Sequence, residues 1–197
     1  LTDMKGQYGA GKYCNAAGEC KELQALEAVL ADSRDYDELL DVWQGWRQVS
    51  PPYRPQYQRF VEIANQGAQD FGYRNLAELW KGGYDMDSHT FTLEARGLWD
   101  QVKPFYDELH CHVRAVLSET YGPEKVSLDG PIPAHLLGNM WSQTWDNLYP
   151  MVEPYAGVAS LDVTAALVEQ GYDEVRMAKT AEGFFTSLGL PALPESF

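Results

Sequence analysis

The sequence is poor in basic residues and has no long hydrophobic run. Its 197 residues include 15 Lys and Arg against 29 Asp and Glu, which gives a formal net charge of −14. Nucleic-acid binding needs clustered cations that neutralise phosphates, so we expect no nucleic-acid partner. No window approaches the roughly 20 consecutive apolar residues that cross a bilayer, so we expect no membrane segment in this chain.

The sequence also lacks the common catalytic and metal-binding motifs. The four histidines are His89, His110, His112 and His135, and none belongs to an H-E-x-x-H pattern. His110 and His112 lie two apart on a predicted helix, about 200° apart around its axis, and cannot chelate one metal. G-x-S-x-G, P-loop, G-x-G-x-x-G and C-x-x-C patterns are missing too. We therefore expect no catalytic residue and no metal ligand within this chain.

What the sequence does contain predicts an all-α fold. Hydrophobic residues make up 45% and aromatic residues 13%, which is more than a disordered chain carries. Apolar residues recur at helical spacing through most of the chain. Residue 104 is a proline and is expected to kink or divide the longest helix. The predicted helices run from 21 through 30, from the N-cap Ser33 to the prolines at 51–52, through 57–71 with a glycine at the C-terminal end, over 76–80, over about 88–121 and over about 134–149, and two more begin at Ser160 and Asp173.

Three features have more than one interpretation from the residues alone. Arg47 continues the aromatic stripe of its helix and needs an anionic partner, either a carboxylate of this chain or a bound anion. Cys14 and Cys20 bracket a short polar loop and form either a local disulfide or two free thiols. Asn139 and Gln143 share a face of the predicted helix, as core amides or as the wall of a binding site.

One long stretch carries a specific resemblance. LDGPIPAHLLGNMWSQTW at residues 128–145 closely resembles the signature of the angiotensin-converting enzyme family, which are zinc peptidyl dipeptidases. YDELL at 36–40, GWR at 45–47 and FFTSLGL at 184–190 are similar to further family segments at the family's spacing. The resemblance covers essentially the whole chain. It covers only roughly a third of the family's catalytic domain, which is several hundred residues long.

The resemblance implies a fold and an activity. The family fold is a mostly helical ellipsoid with a central substrate channel, and residues 1–197 would be a partial catalytic domain that forms one channel wall. The abrupt ends are expected of a piece of a longer protein, with the lid helices and the zinc-binding part elsewhere. The implied function is a segment of a zinc metallopeptidase that removes C-terminal dipeptides. The alternatives are a non-catalytic helical binding module or pseudoenzyme without the zinc site, and a chloride-dependent sensor.

The resemblance also assigns roles to individual residues. Gln143 matches the glutamine that binds the C-terminal carboxylate of the peptide, and Thr144 follows in the same wall. Gln24 is the nearest match to a residue of the pocket for the penultimate side chain. The implied partners are a peptide substrate and the remainder of the catalytic domain. The implied cofactors are zinc, with ligands outside this chain, and chloride.

Two anion sites and a disulfide complete the implied set. Arg47 matches an arginine of the family's first chloride site, and Tyr84 matches the tyrosine of the second. Under this resemblance an anion outranks a plain salt bridge at Arg47. Cys14 and Cys20 match the family's first disulfide, so a secreted or periplasmic location is expected.

Overall fold

The structure, a computed structural model, describes residues 1–155 and 162–194. The chain divides into two compact units, Leu1–Glu153 and Pro154–Phe197. The described residues are mostly α-helical, which confirms the predicted fold class. Within them, no helix is long and apolar enough to cross a membrane.

The first unit contains seven α-helices and one antiparallel hairpin among its described residues. In chain order they are α1 (Thr2–Gly9), β1 (Lys12–Cys14), β2 (Cys20–Glu22), α2 (Leu23–Asp32), α3 (Tyr36–Trp46), α4 (Arg54–Asp70), α5 (Leu76–Lys81), α6 (Ser88–Tyr121) and α7 (Tyr149–Val152). Short 3₁₀ turns occupy Pro51–Tyr53, Ala134–Leu136 and Asp146–Leu148. The second unit contains α8 (Val163–Glu169) and α9 (Glu174–Ser187).

The core of the first unit joins helices that are far apart in sequence. Leu26 and Leu30 of α2 pack with Leu39 and Trp46 of α3. The last turns of α6 and the segment after it complete this cluster, with side chains that are almost fully buried: Val113, Leu117, Val126, Ile132, Leu136, Leu137, Met140 and Leu148. The segment 126–148 is therefore held against α3 mainly by apolar burial.

The hairpin brings a disulfide and a tyrosine next to α3. Cys14 faces Cys20 across the two strands, and the two residues form the disulfide that the resemblance implies. The Tyr13 hydroxyl donates a hydrogen bond of 2.6 Å to Asp41 of α3, and the Tyr13 ring lies directly over Gly45. These strands are only three residues long, too short for an alternating pattern to reveal them in the sequence.

Helix boundaries agree with the sequence prediction in most places and differ at the second helix. Asp35, and not Ser33, is the N-cap of α3, because the Asp35 carboxylate accepts the backbone N–H of Glu38 at 2.8 Å. Ser33 instead ends α2. The predicted cap Asp173 is confirmed at α9, whereas Ser160 lies outside the described residues.

Helix α6 runs without interruption through Pro104. The alternative that Pro104 divides it is therefore wrong, and the alternative that Pro104 kinks it stays a prediction. The buried side chains of α6 are confined to its C-terminal half, at Val113, Leu117 and Ser118. Between residues 98 and 109, one side of α6 presents a row of exposed apolar side chains: Leu98, Trp99, Val102, Phe105, Tyr106 and Leu109. We call this set the α6 apolar face.

The predicted helix at 134–149 is wrong. Residues 134–148 form two 3₁₀ turns with an irregular stretch between them, and the α-helix begins only at Tyr149. Gly138 and Ser142 have positive φ values of 79° and 57°, which an α-helix cannot accommodate. Asn139 and Gln143 therefore do not share a helix face. We call residues 137–145 the Asn139 loop.

Candidate functional site

The Asn139 loop is organised by the side chain of Asn139. The Asn139 Oδ1 atom accepts the backbone N–H groups of Trp141 at 3.0 Å and of Gln143 at 3.3 Å. The Asn139 amide nitrogen donates to the hydroxyl of Thr144. One side chain therefore sets the backbone path on both sides of Ser142, as asparagine does in Asx turns.

Further hydrogen bonds fix the two ends of the Asn139 loop. The Ser142 hydroxyl donates to the carbonyl of Ala134 at 2.8 Å. The side chain of Asn147 donates to the carbonyl of Gly138 at 3.0 Å, and Arg34 donates to the carbonyl of Asn147 at 2.7 Å. The fully buried Met140 anchors the middle of the loop in the core. The loop is thus a fixed structure rather than a loose connection.

Gln143 projects from this fixed loop into solvent. Gln143 is exposed, and its side-chain amide makes no hydrogen bond to any described residue. Thr144 is exposed as well, but its hydroxyl is occupied by Asn139. A neutral amide presented in this way can donate to a carboxylate. Thr144 lies beside it as a support for the loop.

Arg47 links α3 to the Asn139 loop. Its guanidinium donates to the carbonyl of Trp43 at 2.9 Å and to the carbonyl of Met140 at 2.6 Å. One of its nitrogens also lies 3.4 Å from the sulfur of Met140. The guanidinium carbon lies 3.5 Å from the centre of the Trp43 ring, which is cation–π geometry. Arg47 therefore positions the loop through its backbone.

The positive charge of Arg47 has no carboxylate partner in the part of the chain that the structure describes. The ion pairs found there join Arg59 to Glu62, Arg74 to Glu78 and Lys103 to Asp107. Burial lowers the pKa of the Arg47 guanidinium below its ordinary value, and the neighbouring Tyr8 opposes that effect. The carboxylate partner considered from the sequence is therefore not seen among residues 1–155 and 162–194.

Two buried ring nitrogens near this region have no hydrogen-bond partner among the described residues. They are Nε1 of Trp43 and Nε2 of His135. The His135 ring meets the edge of Tyr36 at a centroid distance of 4.6 Å. Burial lowers the pKa of His135, and Asp37 acts in the opposite direction, so a neutral imidazole is favoured in the folded state.

Tyr84 lies in a separate depression of about 500 Å³. Its ring is half exposed and packs against Phe91 at 5.0 Å between centroids. The lining includes the cation Lys81 and three acidic residues, which are Glu78, Asp85 and Asp87. A hydrogen bond donated by Arg74 lowers the pKa of the Glu78 carboxyl, and a hydrogen bond donated by Thr90 lowers the pKa of the Asp87 carboxyl. The described surroundings of Tyr84 are therefore acidic.

The remaining predicted site residue is Gln24, which is exposed in the first turn of α2.

No zinc site is formed by the described residues. They bring no three His, Cys, Asp or Glu side chains together, so they do not fit a zinc ion. Cys111 of α6 is a free thiol and is exposed.

Sequence reasoning missed the roles of Asn139, Arg34 and Met140. The adjacent pair Gly138-Asn139 was the available signal, because glycine followed by asparagine favours a turn over a helix. The bonds from Arg34 and Arg47 to backbone carbonyls more than ninety residues away have no local sequence signal.

Comparison with known proteins gives one consistent family. All residues 1–197 match the Peptidase_M2 family, described as angiotensin-converting enzyme. The chain is 41% identical over 199 residues to the angiotensin-converting enzyme of Sus scrofa, a match that covers 100% of this chain and 15% of that protein. It is 41% identical over 199 residues to the angiotensin-converting enzyme-like protein Ace3 of Mus musculus, covering 27% of it.

A more distant relative extends the same match. The chain is 36% identical over 202 residues to the angiotensin-converting enzyme of Theromyzon tessulatum, a match that covers 100% of this chain and 32% of that protein. The chain therefore spans less than a third of the length of each of these relatives. The chain belongs to the angiotensin-converting enzyme family of peptidases.

Proposed function

We propose that this chain is a segment of a zinc peptidase that removes dipeptides from the C-termini of peptides. The observation that carries the proposal is the family match over residues 1–197. Since the described residues do not fit a zinc ion, the metal would be bound by residues outside this chain. This segment would supply substrate and anion contacts.

In this proposal Gln143 binds the free carboxylate of the peptide. Support comes from its exposed amide and from the Asn139 loop, which holds its backbone through the Asn139 side chain. An amide N–H donates to a carboxylate without placing a competing charge in the site. Anchoring the carboxylate at a fixed point selects which peptide bond reaches the reacting groups, and thereby sets a two-residue product. Thr144 and Gln24 would line the same channel wall.

Arg47 is proposed to bind chloride. Its charge has no carboxylate partner among the described residues, and the indole of Trp43 covers one face of the guanidinium. Because Arg47 also bonds the carbonyl of Met140, an anion at Arg47 would act on the Asn139 loop. Tyr84 would contribute to a second chloride site. The acidic residues around Tyr84 require additional cations, supplied from outside this chain.

The remainder of the catalytic domain is the proposed partner of this segment. The α6 apolar face supports this, because a run of exposed apolar side chains on one helix marks a surface that another part of the protein covers. A secreted or periplasmic location is proposed from the family and from the Cys14–Cys20 disulfide, which persists in oxidising compartments.

A chimera tests the role of Gln143. The matching stretch of the Theromyzon tessulatum enzyme is replaced by this chain, and dipeptide release is measured with two substrates that differ only in a C-terminal carboxylate or amide. Replacing Gln143→Ala should lower kcat/KM for the free-acid peptide by roughly 10- to 100-fold, the usual cost of a hydrogen bond to a charged group. The amidated peptide should lose less than about threefold, because it never engages the carboxylate contact.

A control variant separates this role from general damage. Gln58→Ala, at an exposed glutamine of α4, should leave kcat/KM for both substrates unchanged. A separate variant, Arg47→Gln, tests the proposed chloride site and should reduce the stimulation of the chimera by chloride. Equal losses for both peptides in the Gln143 variant would refute the carboxylate role. A folded, zinc-loaded chimera without turnover would favour the non-catalytic alternative.

A further inference from the structure

A second pocket lies at the junction of α1, the end of α3 and the start of α4, and shares only Arg47 with the contacts of the Asn139 loop. It has a volume of about 660 Å³, which is within the range of small organic ligand sites. Three of its lining residues are cationic and three are tyrosines: Lys5, Arg47, Arg54, Tyr8, Tyr53 and Tyr57. Neither Gln143 nor Thr144 lines it.

The charge of this pocket is opposite to that of the chain. The whole chain carries a formal charge of −14, yet no Asp or Glu lines this pocket. Lys5, Arg47 and Arg54 form no ion pair within the part of the chain that the structure describes. Three positive charges around one depression repel one another unless an anion is present, so the pocket is electrostatically complementary to a negatively charged ligand.

The walls between the cations are apolar. The rings of Tyr8, Tyr53 and Tyr57 contribute to the lining together with Met4 and Pro51. The Tyr8 hydroxyl accepts the indole N–H of Trp46 at 3.1 Å and can still donate its own O–H, and the Tyr8 ring packs edge-on against that indole. Tyr8 therefore offers a hydroxyl donor together with an aromatic surface, which suits a ligand with a carboxylate and an apolar or aromatic body.

The pocket is much larger than a single monatomic ion. A water molecule occupies about 30 Å³, and a chloride ion is of similar size, so the chloride proposed at Arg47 would fill only a small part of the pocket beside Lys5 and Arg54. A ligand with one anionic group and an apolar body would satisfy the cations and the aromatic wall together. We infer that this pocket binds a small organic carboxylate with an aromatic body, at a site separate from the peptide contact at Gln143.

Binding is measured by isothermal titration calorimetry on the 197-residue chain, in a chloride-free buffer. The probe is 3-phenylpropionate. Two matched compounds each remove one part of it: 3-phenylpropan-1-ol keeps the aromatic body without the charge, and acetate keeps the charge without the body. We expect a dissociation constant below about 1 mM for 3-phenylpropionate and at least tenfold weaker binding of both matched compounds, since each loses one of two contributions.

Variants test whether the pocket is responsible. Lys5→Gln and Arg54→Gln, at exposed residues of the pocket, should each weaken 3-phenylpropionate binding at least threefold. Arg96→Gln, an equal change of charge at an exposed position of α6, should leave it unchanged. Equal binding of the alcohol, equal binding of acetate, equal effects of all three variants, or no binding below 10 mM would each overturn the inference. None of these outcomes bears on the role of Gln143, which is tested separately with amidated peptides.

Discussion

Gly45 of α3 lies directly beneath the ring of Tyr13 from the disulfide-bonded hairpin. A Cβ atom at this position would overlap the ring of Tyr13, which lies over the helix and bonds Asp41. Glycine normally weakens a helix interior, so its presence here is explained by the space that Tyr13 requires. The contact between hairpin and helix therefore depends on the missing side chain.

We expect Gly45→Ala to lower the free energy of unfolding by about 1–3 kcal/mol, because the Tyr13 ring must move and its bond to Asp41 is lost. Urea denaturation measures this change. Gly67→Ala is the matched control within α4, where an added Cβ has no atom within 4 Å, and it should raise the free energy of unfolding by about 0.5–1 kcal/mol. Equal stability of the two variants would contradict the proposed contact.

At the scale of the element, α6 is a continuous helix that contains a proline. Pro104 has no backbone N–H, so the carbonyl of Asp100 lacks its helical partner. Pro104 is exposed and lies in the half of α6 that has no buried residue. No packing contact of the described core offsets this cost.

Pro104→Ala should therefore raise the free energy of unfolding, by up to about 3 kcal/mol, since alanine restores the bond and removes the ring clash. The midpoint of urea unfolding and the helical signal in circular dichroism report the change. Gln101→Ala, at an exposed position of the same helix, should leave stability within about 0.5 kcal/mol. A loss of stability in Pro104→Ala would mean that the proline is needed for the path of the helix.

Elements differ in how far the sequence predicts them, and the reasons are physical. The predicted ends of α6, at about residues 88 and 121, agree with the structure, because its apolar spacing continues over many turns. The segment 134–149 has helix-like apolar spacing as well, but Gly138 and Ser142 adopt left-handed backbone there. Its apolar residues face the core through irregular backbone, which periodicity alone cannot distinguish from a helix.

The candidate site is predictable only in part. Gln143 and Arg47 follow from the family resemblance, and the structure places both at the Asn139 loop. The bond between Arg47 and the carbonyl of Met140 joins residues 93 positions apart. Such a contact depends on how α3 and the loop pack together, and local sequence carries no information about it. The acidic surroundings of Tyr84 likewise appear only once the turn after α5 is folded.

At the scale of the whole molecule, the distribution of apolar surface is uneven. The described core lies among α2, α3, the C-terminal half of α6 and the segment 126–148. The α6 apolar face remains exposed, and the exposed fraction of Phe105 is 72%. Apolar surface of this extent favours association with another surface of the same kind.

We therefore expect the 197-residue chain to self-associate as its concentration rises, as measured by sedimentation velocity. Val102→Lys combined with Phe105→Lys should shift the distribution towards the monomer, because both lie on the α6 apolar face. Asp100→Asn combined with Asp107→Asn is the matched control. It raises the net charge by the same two units on the opposite side of the helix, and should leave association unchanged. Equal effects of the two pairs would assign the association to charge.

The hydrogen bonds within the Asn139 loop have a consequence for the affinity of any ligand that binds there. The backbone N–H groups of Trp141 and Gln143 are already bonded to Asn139, and Met140 is buried, so the loop has little conformational entropy left to lose. A carboxylate that meets Gln143 has to restrict mainly the rotamers of that one side chain, at a cost of roughly 0.5–1.5 kcal/mol. Most of the free energy of the new hydrogen bond would then appear as affinity.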